Sequence, residues 1–549
     1  MNNILTDSFT IKFIFVILRK LNYWYEFSLV HRAFVNMSVA CKKSFFIGFI
    51  IDVFTRKKER NYIAGSMLLR WPINIIVFVF YTIKKVFVGS DKGIVIAVVG
   101  FFHKLFLQDG FIKNIISRSV PGRIISWLLS VQLKDNKVNN KNFWLSVTFS
   151  LFIFFMAIVP YGFWSNTFIL IAAVFFTGIF SLQFFLGYNN GIDTKYLPVS
   201  LLLFVMFCII SIFTGFGGMD SVRVLTIMFS AILLSILMIN IIDTIEKLHT
   251  FVFIVAVSLV LTSLFGLFQW HTGIAIRTDF IDLDANVGFG GRLYSTMGNP
   301  NNYAKFLTML FPICISYIVV SRGFFKRTLL SLLLIPVVVA LVLTLSRASY
   351  LVFATTIAFY IFMLKPRIIP VIALIGMLSV PFWPDMIMAR LSTLGTDTSS
   401  IYRMWIWEGS LRTALAYWAT GIGVGPNAFN MIYTAHAHQL ASNAMHSHNV
   451  FLQVWIELGF GGLIAIVIYN IATFKKGLLS FFECKKVTLS KTYLQPIRFY
   501  IIGGLSSLVG FIMFSFVEHV WFHPRTMLTY FIIMSFIWTV ARIQENGDT

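Results

Sequence analysis

The chain has 549 residues, 58% of them hydrophobic and only 12% charged, with a formal net charge of +22. Soluble globular chains are about a quarter charged, so this composition excludes a soluble domain and points to a polytopic membrane protein. Four scattered cysteines (Cys41, Cys208, Cys314, Cys484) with no CxxC pair fit neither a disulfide framework nor a zinc site.

The start, "MNNILTDSFTIKFIFVILRK", has Asp7 early and no small-residue cleavage site, so no cleavable signal peptide is expected. Residues 1–142 hold 21 Lys/Arg against 7 Asp/Glu. Nucleic-acid binding is one reading of so basic a region. Its apolar runs (Phe45–Phe54, Ile73–Ile83, Ile94–Phe102) alternate with clusters such as "TRKKER" and fall short of the roughly 20 residues a span needs. They read better as amphipathic segments on an anionic cytoplasmic leaflet, although Ile73–Ile83 could span by borrowing its neighbours.

From Phe143 the apolar runs predict an all-α domain, 143–542, with about twelve transmembrane helices. Their approximate extents are 143–160, 164–185, 197–214, 222–242, 249–270, 302–320, 328–345, 348–364, 368–384, 450–474, 499–517 and 526–542. The basic segments 321–327, 365–367 and 475–498 then share one side with the N-terminal region. The positive-inside rule makes that side cytoplasmic, together with both termini and the tail 543–549. The other side carries the loops 271–301 and 385–449. A structureless loop as long as the second is uncommon, so a folded lid is expected there. Within it Met404, Trp407, Leu411 and Leu415 recur at helical spacing, as in an interfacial helix.

The basic residues on that extracytoplasmic side are Arg223, Arg277, Arg292, Arg347, Arg390, Arg403, Arg412 and Arg525, with Lys305 the one lysine. A guanidinium grips phosphate or carboxylate through a planar fork, whereas an ammonium is a point charge. Outward arginines against the positive-inside tendency point to an anionic ligand near the outer leaflet; anchoring to lipid headgroups accounts for some of them. Arg347, in "LTLSRASYL", has almost no loop to place it in water, and a charge so placed is a functional hypothesis.

The stretch "HAHQLASNAMHSHN" carries His436, His438, His446 and His448 as two HxH pairs. With no Asp or Glu in the stretch, the pairs are a weak metal signal, and no metal site is expected. "EHVWFHPR" (518–525) lacks the paired histidines of a zinc-protease helix. A histidine sharing a loop with Arg403 and Arg412 is better placed for acid–base work beside a bound anion.

His448 and Asn449 are followed by nine residues, "VFLQVWIEL", and then Gly459 and Gly462. This resembles the signature of the O-antigen ligase and O-antigen polymerase superfamily of bacterial surface polysaccharide assembly. "GRLYSTMGNPNNYA" (291–304), "LSRAS" (345–349) and "YRMWIWEGSLRTALAYWATGIGVGPNAF" (402–429) also look like that family, and the resemblance covers roughly 145–542.

The resemblance implies a membrane-embedded, GT-C-like glycosyltransferase of the bacterial cytoplasmic membrane. It would take glycan from an undecaprenyl-pyrophosphate carrier and give it to an acceptor hydroxyl at the outer face, without metal or other cofactor. His448 would be general base or positioning group, with Arg347 and Arg403 stabilising leaving-group charge. Arg292, Arg412, Asn299 and Asn449 would bind substrate; Gly459 and Gly462, one turn apart, read as small residues for close helix packing. Ligase and polymerase are not separated by these motifs, and the acceptor (glycan, lipid or protein) is open. A transporter or flippase is the rival of another class, but transporters place polar sites near the midplane, whereas here they crowd one face.

Overall fold

The computed structural model describes residues 143–547 apart from 186–190, 274–290, 384–387, 389–397 and 488–493. The basic region 1–142, Arg277 and Arg390 lie outside the described residues. All regular elements described are helical: α1 Phe143–Ile158, α2 Thr167–Phe185, α3 Val199–Thr214, α4 Gly218–Ile241, α5 Ile245–Thr272, α6 Pro300–Val320, α7 Phe324–Leu343, α8 Arg347–Leu364 and α9 Ile369–Ser379. They continue as α10 Thr398–Ala416, α11 Pro426–Tyr433, α12 Val450–Val487, α13 Leu494–Ser515 and α14 Pro524–Gly547, with short 3₁₀ turns between.

Among the described residues, nine helices are long and apolar enough to cross a membrane: α2, α4 to α8 and α12 to α14. Three further expected spans appear as shorter apolar helices, Phe143–Ile158, Val199–Thr214 and Pro366–Phe382. Sixteen residues, the length of α1 and of α3, rise about 24 Å, short of the roughly 30 Å hydrocarbon core. Among the described residues the regular structure is all helical, which fits a membrane-integral protein.

The packing order follows from which helices are apolar all round. Nearly every residue of α14 is buried, which suits a helix enclosed by others rather than one facing lipid. It packs on α4 and α13, and α13 in turn packs on α6, α8 and α12. At the rim, α9 buries none of its residues.

The ends of the bundle differ in charge. At one end Lys195 pairs with Glu545 at 2.7 Å, Lys476 reaches the same carboxylate, and Lys247 holds Asp243 at 2.6 Å. The opposite end gathers the helix junctions of interest. There Thr296 donates to the Ala157 carbonyl, Leu293 N–H to the Leu343 carbonyl, and Phe216 N–H to the Ile422 carbonyl.

A small lid caps that second end. Its own core joins Ile406 and Ala414 of α10, Phe429 and Tyr433 of α11, and Ile422, Ala441 and Ala444 between and after them. Of the four apolar residues at helical spacing on α10, Met404, Leu411 and Leu415 are exposed and Trp407 is half-buried.

The helix α12 is broken at Gly459, where φ is 71° and ψ is −179°. This corrects the reading of Gly459 and Gly462 as one packing pair. The break frees the last carbonyls of the first piece, and the lid satisfies them: Ile422 N–H donates to Ile456 O at 2.8 Å and Gly423 N–H to Glu457 O at 3.1 Å. Phe460 N–H returns to Trp418 O at 2.7 Å. The seam is so close that a Cβ on Gly459 would lie 2.2 Å from the Ala419 carbonyl oxygen. The piece before the break wedges between two cores, with Val450, Val454 and Leu458 in the bundle and Ile456 in the lid.

Candidate functional site

Four segments meet at the lidded end around one carboxylate, Glu518, in the turn between α13 and α14. Its Oε1 accepts from Arg403 Nη2 at 2.5 Å. Its Oε2 lies 3.6 Å from His448 Nδ1 and 3.8 Å from Lys305 Nζ. Arg403 comes from the lid, Lys305 from the first turns of α6, and His448 from the entry to α12. Burial opposes ionisation of Glu518, but Arg403, then Lys305 and His448, outweigh it and hold the carboxyl well below the ordinary carboxylate range.

The His448 side chain is 27% exposed, enough to be reached, while its Nδ1 is turned inward without a hydrogen-bond partner. Its backbone is left-handed at φ 51° and donates N–H to His446 Nδ1 at 3.2 Å. Beside it Ser447 N–H donates to Gln453 Oε1 at 2.7 Å, and Gln453 Nε2 to Glu457 Oε1 at 2.9 Å. A fully buried amide thus pins the loop that presents the imidazole.

The other histidines divide into two groups. His446, His519 and Phe522 cluster near His448 in tilted and edge-on contacts, with the His446 and His448 centroids 4.2 Å apart. Burial first, then the His448 and His519 rings, hold His446 well below the usual imidazole range. Burial, and next Lys305, push His519 down to about 3; burial, and next Arg525, do the same to His523. These rings are neutral walls. His438 instead stacks on Trp405 within the lid, at 4.7 Å and 4°, and accepts from Leu440 N–H. Among the described residues no group of three His, Cys, Asp or Glu side chains is arranged to hold a metal ion.

The two asparagines singled out from sequence both cap helices. Asn299 Oδ1 accepts from Asn301 N–H at 2.9 Å and Asn302 N–H at 3.2 Å, opening α6. Asn449 Oδ1 accepts from Leu452 N–H, and its Nδ2 donates to Phe516 O at 3.2 Å, tying the His448 loop to the turn that bears Glu518. Arg292 Nε donates to Thr344 O at 2.8 Å and Nη2 to Asn301 Oδ1 at 2.6 Å. It therefore joins the start of α6 to the segment leading into Arg347. Arg347 is the first residue of α8, half-buried at the same end of the bundle.

Arg403 and Arg412 are not brought together. Nine residues is about two and a half helical turns, which places them on opposite faces of α10. Arg412 is 61% exposed and pairs with Glu408 at 2.5 Å. Arg223 is exposed on α4.

Sequence reasoning missed Glu518. In "EHVWFHPR" the sequence draws attention to the histidines and Arg525, although the one outward lysine, Lys305, is a usable signal that an acid lies opposite.

The three described non-glycine residues with positive φ are Ser295, Leu345 and His448. One falls in or beside each of the stretches around Arg292, Arg347 and His448. Such strain of about 1–3 kcal/mol per residue persists only where surroundings enforce it, and it clusters at functional sites.

No curated protein matches the chain. Residues 329–467 match the family model described as O-Antigen ligase. The match runs from α7 through Arg347, the lid with Arg403, and His448, to the spanning part of α12 beyond Gly459. Over this segment, about a quarter of the chain, the protein is similar to the O-antigen ligase family, in line with the resemblance its motifs carry.

Proposed function

We propose that this protein transfers glycan from an undecaprenyl-pyrophosphate donor to an acceptor hydroxyl at the outer face of the bacterial cytoplasmic membrane, with both termini in the cytoplasm. The observation that carries the reading is the meeting of His448 and Arg403 on Glu518, from distant parts of the chain, at one end of a membrane bundle. The carboxylate facing His448 Nδ1 favours the tautomer protonated there, leaving Nε2 as the basic nitrogen. In the reaction the acceptor oxygen bonds the anomeric carbon while the carbon–oxygen bond to the diphosphate breaks. Nε2 takes the hydroxyl proton, and the carrier diphosphate leaves with the bonding electrons.

Leaving-group charge needs fixed cations. Arg403 and Lys305 line the hub, with Arg347 and Arg292 at the same end, and a diphosphate leaving there would meet these cations. Guanidiniums that already take this charge leave no Lewis-acid task for a divalent cation. Arg412, Asn299 and Asn449 contribute through the lid surface and the helix caps rather than through the hub. A flippase reading has less support, because the convergent groups crowd one end rather than the midplane.

The test is glycan transfer by membranes with matched protein levels. His448→Ala is expected to lose roughly 10²–10⁴-fold in rate while inserting normally. Wild-type activity in His448→Ala would sink the mechanism.

A further inference from the structure

Close to the hub lies a second cation that the protein leaves unmatched. Arg525, at the start of α14, is fully buried. Its Nη1 donates to Thr296 O at 3.2 Å and touches Met297 Sδ at 3.8 Å. Its guanidinium carbon lies 4.3 Å from the centre of the Trp164 ring. The remaining nitrogens, Nε and Nη2, are shut from solvent with no hydrogen-bond partner.

Those two N–H groups occupy one edge of the guanidinium and point the same way. That edge grips an oxyanion through two parallel hydrogen bonds. Arg292 shows the contrast: its Nε and Nη2 are both used, by Thr344 O and Asn301 Oδ1. A buried charge with its bidentate edge empty is strongly unfavourable until an anion joins it. The Trp164 face offsets only part of that cost.

The surroundings indicate where the anion comes from. Arg525 faces Trp164, the residue that follows the 3₁₀ turn Tyr161–Phe163 between α1 and α2. Phe163 is 80% exposed and Tyr161 54%, aromatic side chains at a helix end where lipid headgroups lie. The Tyr161 ring rests on bare Gly298, where a Cβ would come within 2.6 Å of it. The segment beside Arg525 is thus a short turn with exposed aromatic side chains, one of them seated on the backbone of Gly298.

We propose that the Nε/Nη2 edge of Arg525 is an oxyanion site, filled by the phosphate of a lipid that enters beside the Tyr161–Phe163 turn. The site needs only a phosphate-bearing lipid at this end of the bundle. It can therefore fail while glycan transfer by His448 stands, and it can stand if transfer fails.

The experiment is thermal unfolding of the full-length protein in uncharged detergent, with phosphatidylglycerol, undecaprenyl pyrophosphate or diacylglycerol, which has no phosphate, added in separate arms. The wild type is expected to gain stability with at least one of the first two. Arg525→Met is expected to be as stable as wild type without added lipid, since it removes an unmatched charge, and to lose most of the gain. Arg525→Lys keeps the charge but not the fork, and should lose at least half of it. A gain with phosphatidylglycerol alone assigns a headgroup, and one with the undecaprenyl lipid alone assigns the carrier. No gain from either overturns the proposal. So does an Arg525→Met protein that is less stable yet keeps the full gain, because Arg525 would then be a packing residue. If Arg525→Met does not accumulate, an undiminished gain in Arg525→Lys overturns it equally.

Discussion

Replacing Glu518 by Gln keeps the shape of the side chain and an oxygen facing Arg403 but removes the charge on which three groups converge. The two cations are affected unequally. Arg403 is 24% exposed and can recover part of its hydration, whereas Lys305 is only 4% exposed and cannot. Removing one partner of a buried ion pair costs about 3–5 kcal/mol, most of it the stranded charge. The Lys305 separation of 3.8 Å is long, so the lower end, about 3 kcal/mol, applies. Arg403 belongs to α10 and Glu518 to the bundle, so part of the loss falls on lid closure. If all of it did, amide exchange in 398–416 would quicken by roughly 10²-fold.

Lys305→Met alone should be mild, and Glu518→Gln combined with Lys305→Met should recover at least half of the lost protection. The depressed carboxyl also fixes the pH dependence of the wild type. Its contribution is complete above the ordinary carboxylate pKa and is lost as pH falls through the lower folded value. Lid protection should therefore persist through mild acid in wild type, and Glu518→Gln should remove that dependence. Unchanged exchange in Glu518→Gln, or additive effects in the double variant, would refute the hub.

Arg347→Lys should lower glycan transfer at least tenfold at equal protein level, because an ammonium cannot reproduce a two-pronged grip on phosphate; near-normal turnover would make Arg347 a headgroup anchor. Transfer should survive chelator treatment, measured on washed membranes, and loss restored by zinc would return the histidines to a metal role. Gly459→Ala should disrupt the lid seam, since the added carbon meets the Ala419 carbonyl at 2.2 Å and the φ of 71° is strained for alanine. Exchange across 418–423 reports this directly, and an unperturbed seam would mean that the helix can pass Gly459 without the break.

Much of the fold was legible because lipid imposes a length rule on apolar runs, and runs of that length are visible in one dimension. The site was legible in part, through Arg403 and His448, because a motif places residues by spacing. Glu518 was not. Its partners lie 115 positions away at Arg403 and farther still at Lys305, and no local period connects them. The break at Gly459 was hidden for a different reason. Glycines three apart read equally as a packing pair on a continuous helix, and only the lid's amides opposite Ile456 and Glu457 decide otherwise.

The left-handed backbones at Ser295, Leu345 and His448 leave no trace in composition, since none is glycine. They are informative together with the charges. Strain at one residue could be a local accident of packing. Strain in or beside each of three stretches, one carrying Arg292, one Arg347 and one His448, means that the bundle spends stability to fix where those groups start from. Groups fixed in advance need not reorganise when charge develops between them, which is what the proposed transfer away from a diphosphate would require of its surroundings.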